Sequence, residues 1–383
     1  MVYETPIHIV AARRSPIGRF DGGLKKFTAP ELASHTAEAT VPEALRPHID
    51  QVILGQILQA GTGMNTARQV GLKLGIPQAT PAFTVNMVCG SGLKAVALGA
   101  DAIEQDEASL ILAGGVESMS NAPHYAMDAR FGKKLGEPRL RDAILTDGLS
   151  DPILQRGMGD IAEELACEYD ISREEQDKFA LQSQQRAAAA REAFAREIVP
   201  MGEVEADEHP RPDTTLEKLA SLLPAFAKEG TITAGNASGI NDGSATLLLA
   251  NDTALTRHDL ESRAHIIGAT ALGCDPARFG LGPVGAVQSL CEQIDWDLAG
   301  VDAVEINEAF AVQTLACARD LSLSDAQLNP RGGAIALGHP IGASGARILV
   351  TLLHHLEDAN ANRGIATLCV GGGMGIAIAI ERD

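Results

Sequence analysis

Positive charge is in short supply: 31 Lys and Arg stand against 50 Asp and Glu, for a formal net charge of -19. Most of such a surface repels nucleic acid and anionic lipid, which argues against DNA binding. Aromatics are also scarce, at 3% of residues. The six cysteines (89, 167, 274, 291, 317 and 369) contain no C-x-x-C pair and no zinc-like spacing. Free thiols in a reducing compartment are therefore expected, without structural disulfides or a bound metal. The longest nearly apolar stretch, 365–380, is short for a membrane span and is broken by Gly371, Gly372, Gly373 and Gly375. It reads as two strands with a tight turn. The first residues, MVYETPIHIVAARRSPIGRF, show no charged leader ahead of an apolar core, so cytoplasmic residence is expected, with no membrane partner.

Hydrophobic residues make up 45% of the chain, with 39 glycines, a balance that suits an α/β enzyme with many strand-to-helix turns. At 383 residues the chain exceeds the usual limit of one core, so two domains, or one with a large insertion, are expected. Apolar runs at 7–12, 52–55 and 82–85 read as strands, and 65–74 reads as a helix. Leu93, Val96, Ala97 and Ala100 share one helical face, and the strand 110–113 that follows ends at Gly114-Gly115, which completes a βαβ unit. Between 117 and 239 the alternation lapses into polar, Pro-containing loops around one long helix predicted over 173–197. It resumes at 245–250 and continues through 301–306, 344–356 and the closing strand pair. Each half ends with a strand running into glycines, a hint of duplication. One basic island interrupts the acidic chain: Arg130, Lys133, Lys134, Arg139 and Arg141 against only Glu137. It could attract a nucleotide phosphate or be a solvated loop.

Cys89 lies in Asn86-Met87-Val88-Cys89-Gly90-Ser91-Gly92-Leu93, after a strand and at the start of a helix. The free N–H groups and positive dipole end of a helix N-terminus stabilise a thiolate, so a nucleophile with a lowered pKa fits there. A packed core cysteine is the commoner fate of a free thiol. The same segment holds Gly90-x-Gly92-x-x-Ala95, a near-match to a dinucleotide fingerprint. His339 sits between Gly338 and Pro340 in a glycine-dense loop before a helix, where a constrained imidazole could take a proton from a thiol or merely fill a turn. Asn307-Glu308-Ala309-Phe310 ends one strand, and Cys369 ends another before Gly371. Four such residues at loops after strands form a group, at the place where α/β sites collect.

These segments resemble the thiolase family: Asn86 to Gly92, Asn307-Glu308-Ala309-Phe310, Gly338-His339-Pro340 to Gly345, and Cys369-Val370-Gly371-Gly372-Gly373. The likeness covers nearly the whole chain. Gly114 to Ser120 and Thr233 to Gly239 look like the short-chain acetyl-CoA acetyltransferase branch of that family. The resemblance implies an α/β fold of duplicated βαβ halves in a layered αβαβα arrangement, with an inserted loop domain. Residues 1–117 plus 240–262 would form the first half, 118–239 the insertion that binds coenzyme A and makes oligomer contacts, and 263–383 the second half. Cys89 would be acylated with help from His339, and Cys369 would exchange the proton of the second substrate. Asn307, through a water, would serve one oxyanion site with His339, and the N–H groups of Cys89 and Gly371 the other.

Coenzyme A would be substrate and product rather than a resident cofactor. Arg211, Ser238, Leu149, Met158, Lys218, Phe226 and Ala234 would line its tunnel, with Phe310 and Met158 near the acyl group. The basic island would correspond to a loop joining dimers into a homotetramer near the CoA phosphate. Two departures from the short-chain pattern are Gly157, often a histidine, and Phe279, often a methionine. Rival readings are a longer-chain degradative thiolase, a ketoacyl synthase, a noncatalytic lipid carrier and an NAD-dependent dehydrogenase. Cys369 argues against the synthase, and the presence of Cys89, His339 and Cys369 together against the carrier.

Overall fold

The computed structural model describes residues 1–382. The first half is built from β1 (His8–Arg14), α1 (Ala29–Thr40), β2 (Gln51–Gly55), α2 (Thr66–Lys73), β3 (Ala82–Val85), α3 (Ser91–Glu104) and β4 (Leu110–Ser118). Two helices, α4 (Met158–Glu168) and α5 (Arg173–Ala189), follow among loops, and β5 (Asn241–Ala250) closes the half. The second half holds β6 (Ala264–Gly273), α6 (Gly282–Ile294), β7 (Ala303–Ile306), α7 (Ala311–Asp320), α8 (Ser344–Ala359), β8 (Arg363–Val370) and β9 (Met374–Glu381).

The strands run side by side in the order β7-β8-β9-β6-β1-β5-β4-β2-β3. Outward from β1, successive pairings are antiparallel to β5, antiparallel to β4 and parallel to β2. Outward from β6 they are antiparallel to β9, antiparallel to β8 and parallel to β7, the same sequence of polarities. That repeat is the duplication hinted at by the two strands that run into glycines, β4, which passes through Gly114 and Gly115, and β8, which stops before Gly371. The halves meet where His8 pairs with His265 and Ile9 with Ala264, and the first residues extend the seam, with Tyr3 N–H on Ile267 O at 3.2 Å and Ala269 N–H on Met1 O at 3.0 Å.

Helices α3 and α8 lie between the sheets of the two halves and bury Leu93, Val96, Ala100, Leu349 and Leu353 in one cluster with strand residues of both. Outside the first half α1 and α2 pack on β2, β4 and β5, and outside the second α6 and α7 pack on β7, β8 and β9, which completes five layers. Truncating a fully buried Leu93 or Leu349 would cost about 2–5 kcal/mol. Where α3 meets α8 there is no room for side chains. A Cβ on Gly92 would lie 2.9 Å from Ala346 N and from Gly342 O, and one on Gly345 would lie 2.4 Å from Leu93 N.

Two elements differ from expectation. The helix predicted over 173–197 ends at Ala189, where Ala190 caps it with its N–H on Arg186 O, and only a short turn, Arg191–Phe194, follows. The bend carries Phe194 and Ile198 against Ile17 and brings Glu197 to the buried Arg14, at 2.6 Å. The strand expected over 245–250 begins four residues earlier, at Asn241, because β4 pairs with it back to Asp242. None of the six cysteines is in a disulfide, and among the described residues there is no group of metal-ligating side chains and no helix long and apolar enough to cross a membrane.

Candidate active site

Cys89 lies on a tight turn between β3 and α3, two residues ahead of the first helical residue, Ser91. Val88 takes φ +45°, a left-handed conformation that a β-branched residue adopts only under constraint. The constraint is visible. Val88 N–H donates to Asn86 Oδ1 at 3.0 Å, Ser91 Oγ donates to Val88 O at 2.6 Å, and Met87 N–H donates to Ser91 Oγ at 2.8 Å. The thiol is recessed against Ile57, Leu58, Met119, Ile144 and Ile341.

The turn after β8 packs against it. A Cβ on Gly90 would lie 3.0 Å from Val370 Cγ2, and one on Gly371 would lie 3.4 Å from both Val88 Cγ1 and Met158 Sδ. Cys369 therefore comes close enough to Cys89 that ionising either thiol opposes ionising the other. The N–H groups of Gly371 and Cys89 both point at the Cys89 sulfur. The expectation of a lowered Cys89 pKa does not hold. Burial, the largest effect, outweighs those two donors and pushes the thiol up to about 11. Burial likewise raises Cys369, so both sulfurs rest as thiols.

His339 follows Gly338, whose φ of +103° and lack of a Cβ let it sit against the Asn241 side chain. Asn241 Oδ1 accepts from His339 N–H at 3.0 Å, while its Nδ2 donates to Gly18 O at 2.9 Å. His339 Nδ1 lies 2.6 Å from Ser344 Oγ, and Nε2 lies 3.5 Å from Asn307 Nδ2, the outer edge of hydrogen bonding. Burial first, and then the cationic Arg347, push the imidazole down to about 3, so it is neutral and able to accept a proton. Asn307 is wholly buried and is fixed by its N–H on Thr367 O at 3.0 Å. Its neighbour Glu308 accepts from Ser183 Oγ at 2.6 Å, Asn329 Nδ2 at 2.9 Å and Ile335 N–H at 3.1 Å, a brace between this loop and the one carrying His339.

The structure thus groups Cys89 with Cys369 and Gly371, and Asn307 with His339, with Asn307 at the end of β7, the strand that pairs with the one carrying Cys369. Phe310 and Met158 also reach this cluster, since both pack with Cys369 and with Phe279, the residue that departs from the short-chain pattern. Phe226 meets Phe310 edge-on with ring centroids 5.9 Å apart, Ser238 N–H donates to Ala309 O at 3.0 Å, and Leu149 packs beside Cys89. Ala234, Arg211 and Lys218 are further out and exposed, and Lys218 Nζ donates to Asp213 O at 2.6 Å. The basic island from Arg130 to Arg141 is exposed throughout, with Phe131 and Leu135 uncovered beside it. Gly157 serves as the N-cap of α4, its N–H on Asp160 Oδ2 at 3.2 Å. A groove of about 830 Å³ lined by Arg13, Arg196, Arg263 and Glu357 shares no residue with the thiol site, so volume does not single that site out.

Sequence reasoning passes over several residues here. Asn241, Ser344 and Glu308 hold the reacting groups in place, and His209, with a ring nitrogen 3.4 Å from Asn241 Nδ2, is pushed down to about 4 by burial and then by Arg211. Ser344 is signalled by standing five residues after His339 and opening a helix. Gly92, read as part of a nucleotide fingerprint, has another purpose, the close crossing of α3 with α8.

A layered, duplicated α/β enzyme with two neighbouring thiols, one half-buried and one buried, and a neutral imidazole is the class that the fold and site define. The thiolase N-terminal domain family matches residues 7–253 and the thiolase C-terminal domain family matches residues 260–382. The chain belongs to the thiolase family. It is 49% identical to the acetyl-CoA acetyltransferase of Chromobacterium violaceum, over 98% of this chain and 99% of that protein. It is 47% identical to that of Pseudomonas aeruginosa, over 98% and 99%. Its structure is similar to the crystal structure of human mitochondrial 3-ketoacyl-CoA thiolase in complex with CoA, with TM-score 0.96, 43% identity, and 100% and 99% of the two chains covered.

Proposed function

We propose that this thiolase joins two acetyl-CoA molecules reversibly into acetoacetyl-CoA and free CoA. The observation that carries the reading is the pair of thiols brought together from distant segments, half-buried Cys89 and buried Cys369, with a neutral His339 held on Asn307 at the end of the strand next to the one that carries Cys369. The thiol and the imidazole both rest uncharged, so His339 takes the Cys89 proton as the sulfur attacks the thioester carbonyl rather than beforehand. A carbon–sulfur bond forms at Cys89 as the bond to the CoA sulfur breaks, and CoA leaves with the proton that His339 took. Cys369 passes its own proton to the freed His339 and, as thiolate, removes a proton from the methyl carbon of the second acetyl-CoA. The resulting carbanion attacks the acyl carbon, the new carbon–carbon bond forms, and the Cys89 sulfur leaves and takes a proton back from His339. Oxyanions at the two stages are held by the Cys89 and Gly371 N–H groups and by His339 with an Asn307-bound water.

The CoA chain would approach past Arg211, Lys218 and Ala234, run between Phe226 and Ser238, and reach Met158, Leu149 and Phe310. Residues 118–239 would thus act as a CoA-binding insertion between halves formed by 1–117 plus 240–262 and by 263–383. The exposed basic island would face another copy of the chain, consistent with a dimer of dimers in the cytoplasm, with no cofactor held between turnovers. The walls around the thiols favour a two-carbon acyl group, because Ile57, Leu58 and Ile341 crowd Cys89 while Phe279 and Phe310 crowd Cys369. Thiolysis measured across 3-ketoacyl-CoA lengths tests this: acetoacetyl-CoA should be cleaved fastest, and preference for long chains would reject the short-chain reading. Cys89→Ala should abolish turnover. Cys369→Ala should leave an acetyl adduct on the Cys89 peptide by mass spectrometry while condensation stops, and normal turnover of that variant would remove Cys369 from the scheme.

A further inference from the structure

The Gly114-Gly115-Val116-Glu117 segment ends β4 with a carboxylate that takes no part in the acyl-transfer steps. Glu117 is completely buried, and it turns away from other side chains to take three backbone donors. Oε2 accepts from Ile57 N–H at 3.0 Å and from Gly342 N–H at 3.1 Å, and Oε1 accepts from Leu58 N–H at 3.1 Å. Those donors belong to two loops. One follows β2 and the other carries His339, three residues before Gly342. The apolar wall against the Cys89 thiol consists in part of Ile57, Leu58 and Ile341, so the backbone that Glu117 grips is the backbone of that wall.

The grip has no slack. A Cβ on Gly342 would lie 2.6 Å from Val116 O, 2.7 Å from Glu117 Oε2 and 3.0 Å from Gln56 Cα, and one on Gly115 would lie 2.2 Å from Gly342 O. The His339 loop is pressed onto the end of β4 and onto the first turn of α3, where Glu117 holds it at Gly342 N–H while Asn241 holds it at His339 N–H. On the far side Glu308 braces the same loop at Ile335 N–H. Burial pushes the Glu117 carboxyl up to about 8 against the pull of its three N–H donors, Asp242 on β5 adds to the rise, and Glu117, once ionised, opposes ionisation of Cys89.

We propose that Glu117 is a positioning residue for acyl transfer, tying the 56–58 loop to the His339 loop so that imidazole, thiol and acyl-pocket wall keep one fixed arrangement. The inference rests on the thiolase reading of the site. A carboxyl group suits the task because its two oxygens accept from three backbone N–H groups at once, and above about pH 8, where it is ionised despite its burial, those bonds are charge-assisted and stronger. In Glu117→Gln the volume stays, but the new NH2 must face either Leu58 N–H or the pair Ile57 N–H and Gly342 N–H, so the grip is weakened whichever way the amide turns.

The test compares the full-length wild type with E117Q and Glu117→Asp. Thiolysis of acetoacetyl-CoA should lose at least tenfold in kcat in E117Q while KM for CoA stays within twofold, and E117D, one methylene shorter but still a carboxylate, should recover part of the loss. Iodoacetamide labelling of the Cys89 peptide, followed by mass spectrometry at pH 8.5, should run at least threefold faster in E117Q, because the opposing charge is gone and the wall is loosened. The buried Cys317 reports on general unfolding and should stay slow. Unchanged kcat, a loss confined to KM, or Cys317 labelling that rises in step with Cys89 would each overturn the assignment. If E117Q does not fold, E117D is measured in its place by the same kinetics and labelling, and the same three results would overturn the assignment. A wild type that cleaves no 3-ketoacyl-CoA rejects the thiolase reading instead, since the labelling comparison needs no turnover.

Discussion

Ser344→Ala tests how the site selects one form of its imidazole. Ser344 Oγ donates to Pro340 O at 3.0 Å, so its single proton is committed and it must accept from His339 Nδ1–H at 2.6 Å. That assignment, made from the hydrogen-bond network, leaves Nε2 as the lone pair facing Asn307 Nδ2 and the reacting centre. Deleting Oγ strands a buried N–H, which costs about 1–3 kcal/mol. The ring can escape that cost by moving its proton to Nε2, where it is useless as a base. Each 1.4 kcal/mol of lost preference shifts the tautomer ratio about tenfold, so kcat for thiolysis should fall about 10–100-fold. KM for CoA should change little, since no contact of Ser344 involves the residues on the approach to the site. Steady-state kinetics at saturating CoA and urea denaturation measure the two effects. If stability drops by about 1–3 kcal/mol while kcat stays within twofold of wild type, the hydroxyl does not set the tautomer and the reasoning fails.

Arg14→Met should lower unfolding stability by about 3–5 kcal/mol in urea titrations, because it leaves Glu197 and Asp207, bound at 2.6 and 2.7 Å, as uncompensated charges in the interior. Gly338→Ala should cost about 2–5 kcal/mol and nearly abolish turnover, since φ is +103° and the added Cβ would fall 2.4 Å from Asn241 Cγ; a crystal structure with His339 undisplaced would contradict this. His209 has a native pKa pushed down to about 4 against an ordinary value of 6.5, so the unfolded chain binds the extra proton between those values. Stability from this group is present above pH 6.5 and is lost as pH falls toward 4. The wild type should therefore lose ground to His209→Asn by up to about 1.4 kcal/mol per pH unit in that window. A difference that does not vary with pH would show that His209 keeps its ordinary pKa in the fold.

Local pattern makes much of this site readable. Short apolar runs end at Asn307, Cys89 and Cys369, and the Gly-His-Pro sequence around His339 advertises a constrained turn. The elements that escape such reading have their own reasons. Helix α1 carries a capping box, with Thr28 N–H and Oγ1 on Glu31 and Pro30 in its first turn, a signal present in the sequence but easily lost among loops. Strand β6 and helix α6 mix small and apolar residues without a clear period, so only their pairing and packing decide them. The ionisation of Cys89 runs against its motif because dipoles and N–H donors follow from local sequence, whereas the cost of removing a charge from water follows from the whole tertiary surroundings.

The seam between β1 and β6 sets how labour is divided in this molecule. The sulfur that would carry the acyl group belongs to one repeat, while the imidazole, the amide of Asn307 and the second sulfur belong to the other. Neither repeat alone owns a complete set of tools, and main-chain bonds from the first residues to β6 rivet the two along one edge only. Their alignment depends as well on the apolar sandwich of α3 on α8, where two glycines let the helices nearly touch. A single methyl group inserted at Gly92 or Gly345 should thus silence the enzyme from a distance, by prising apart partners that it never meets.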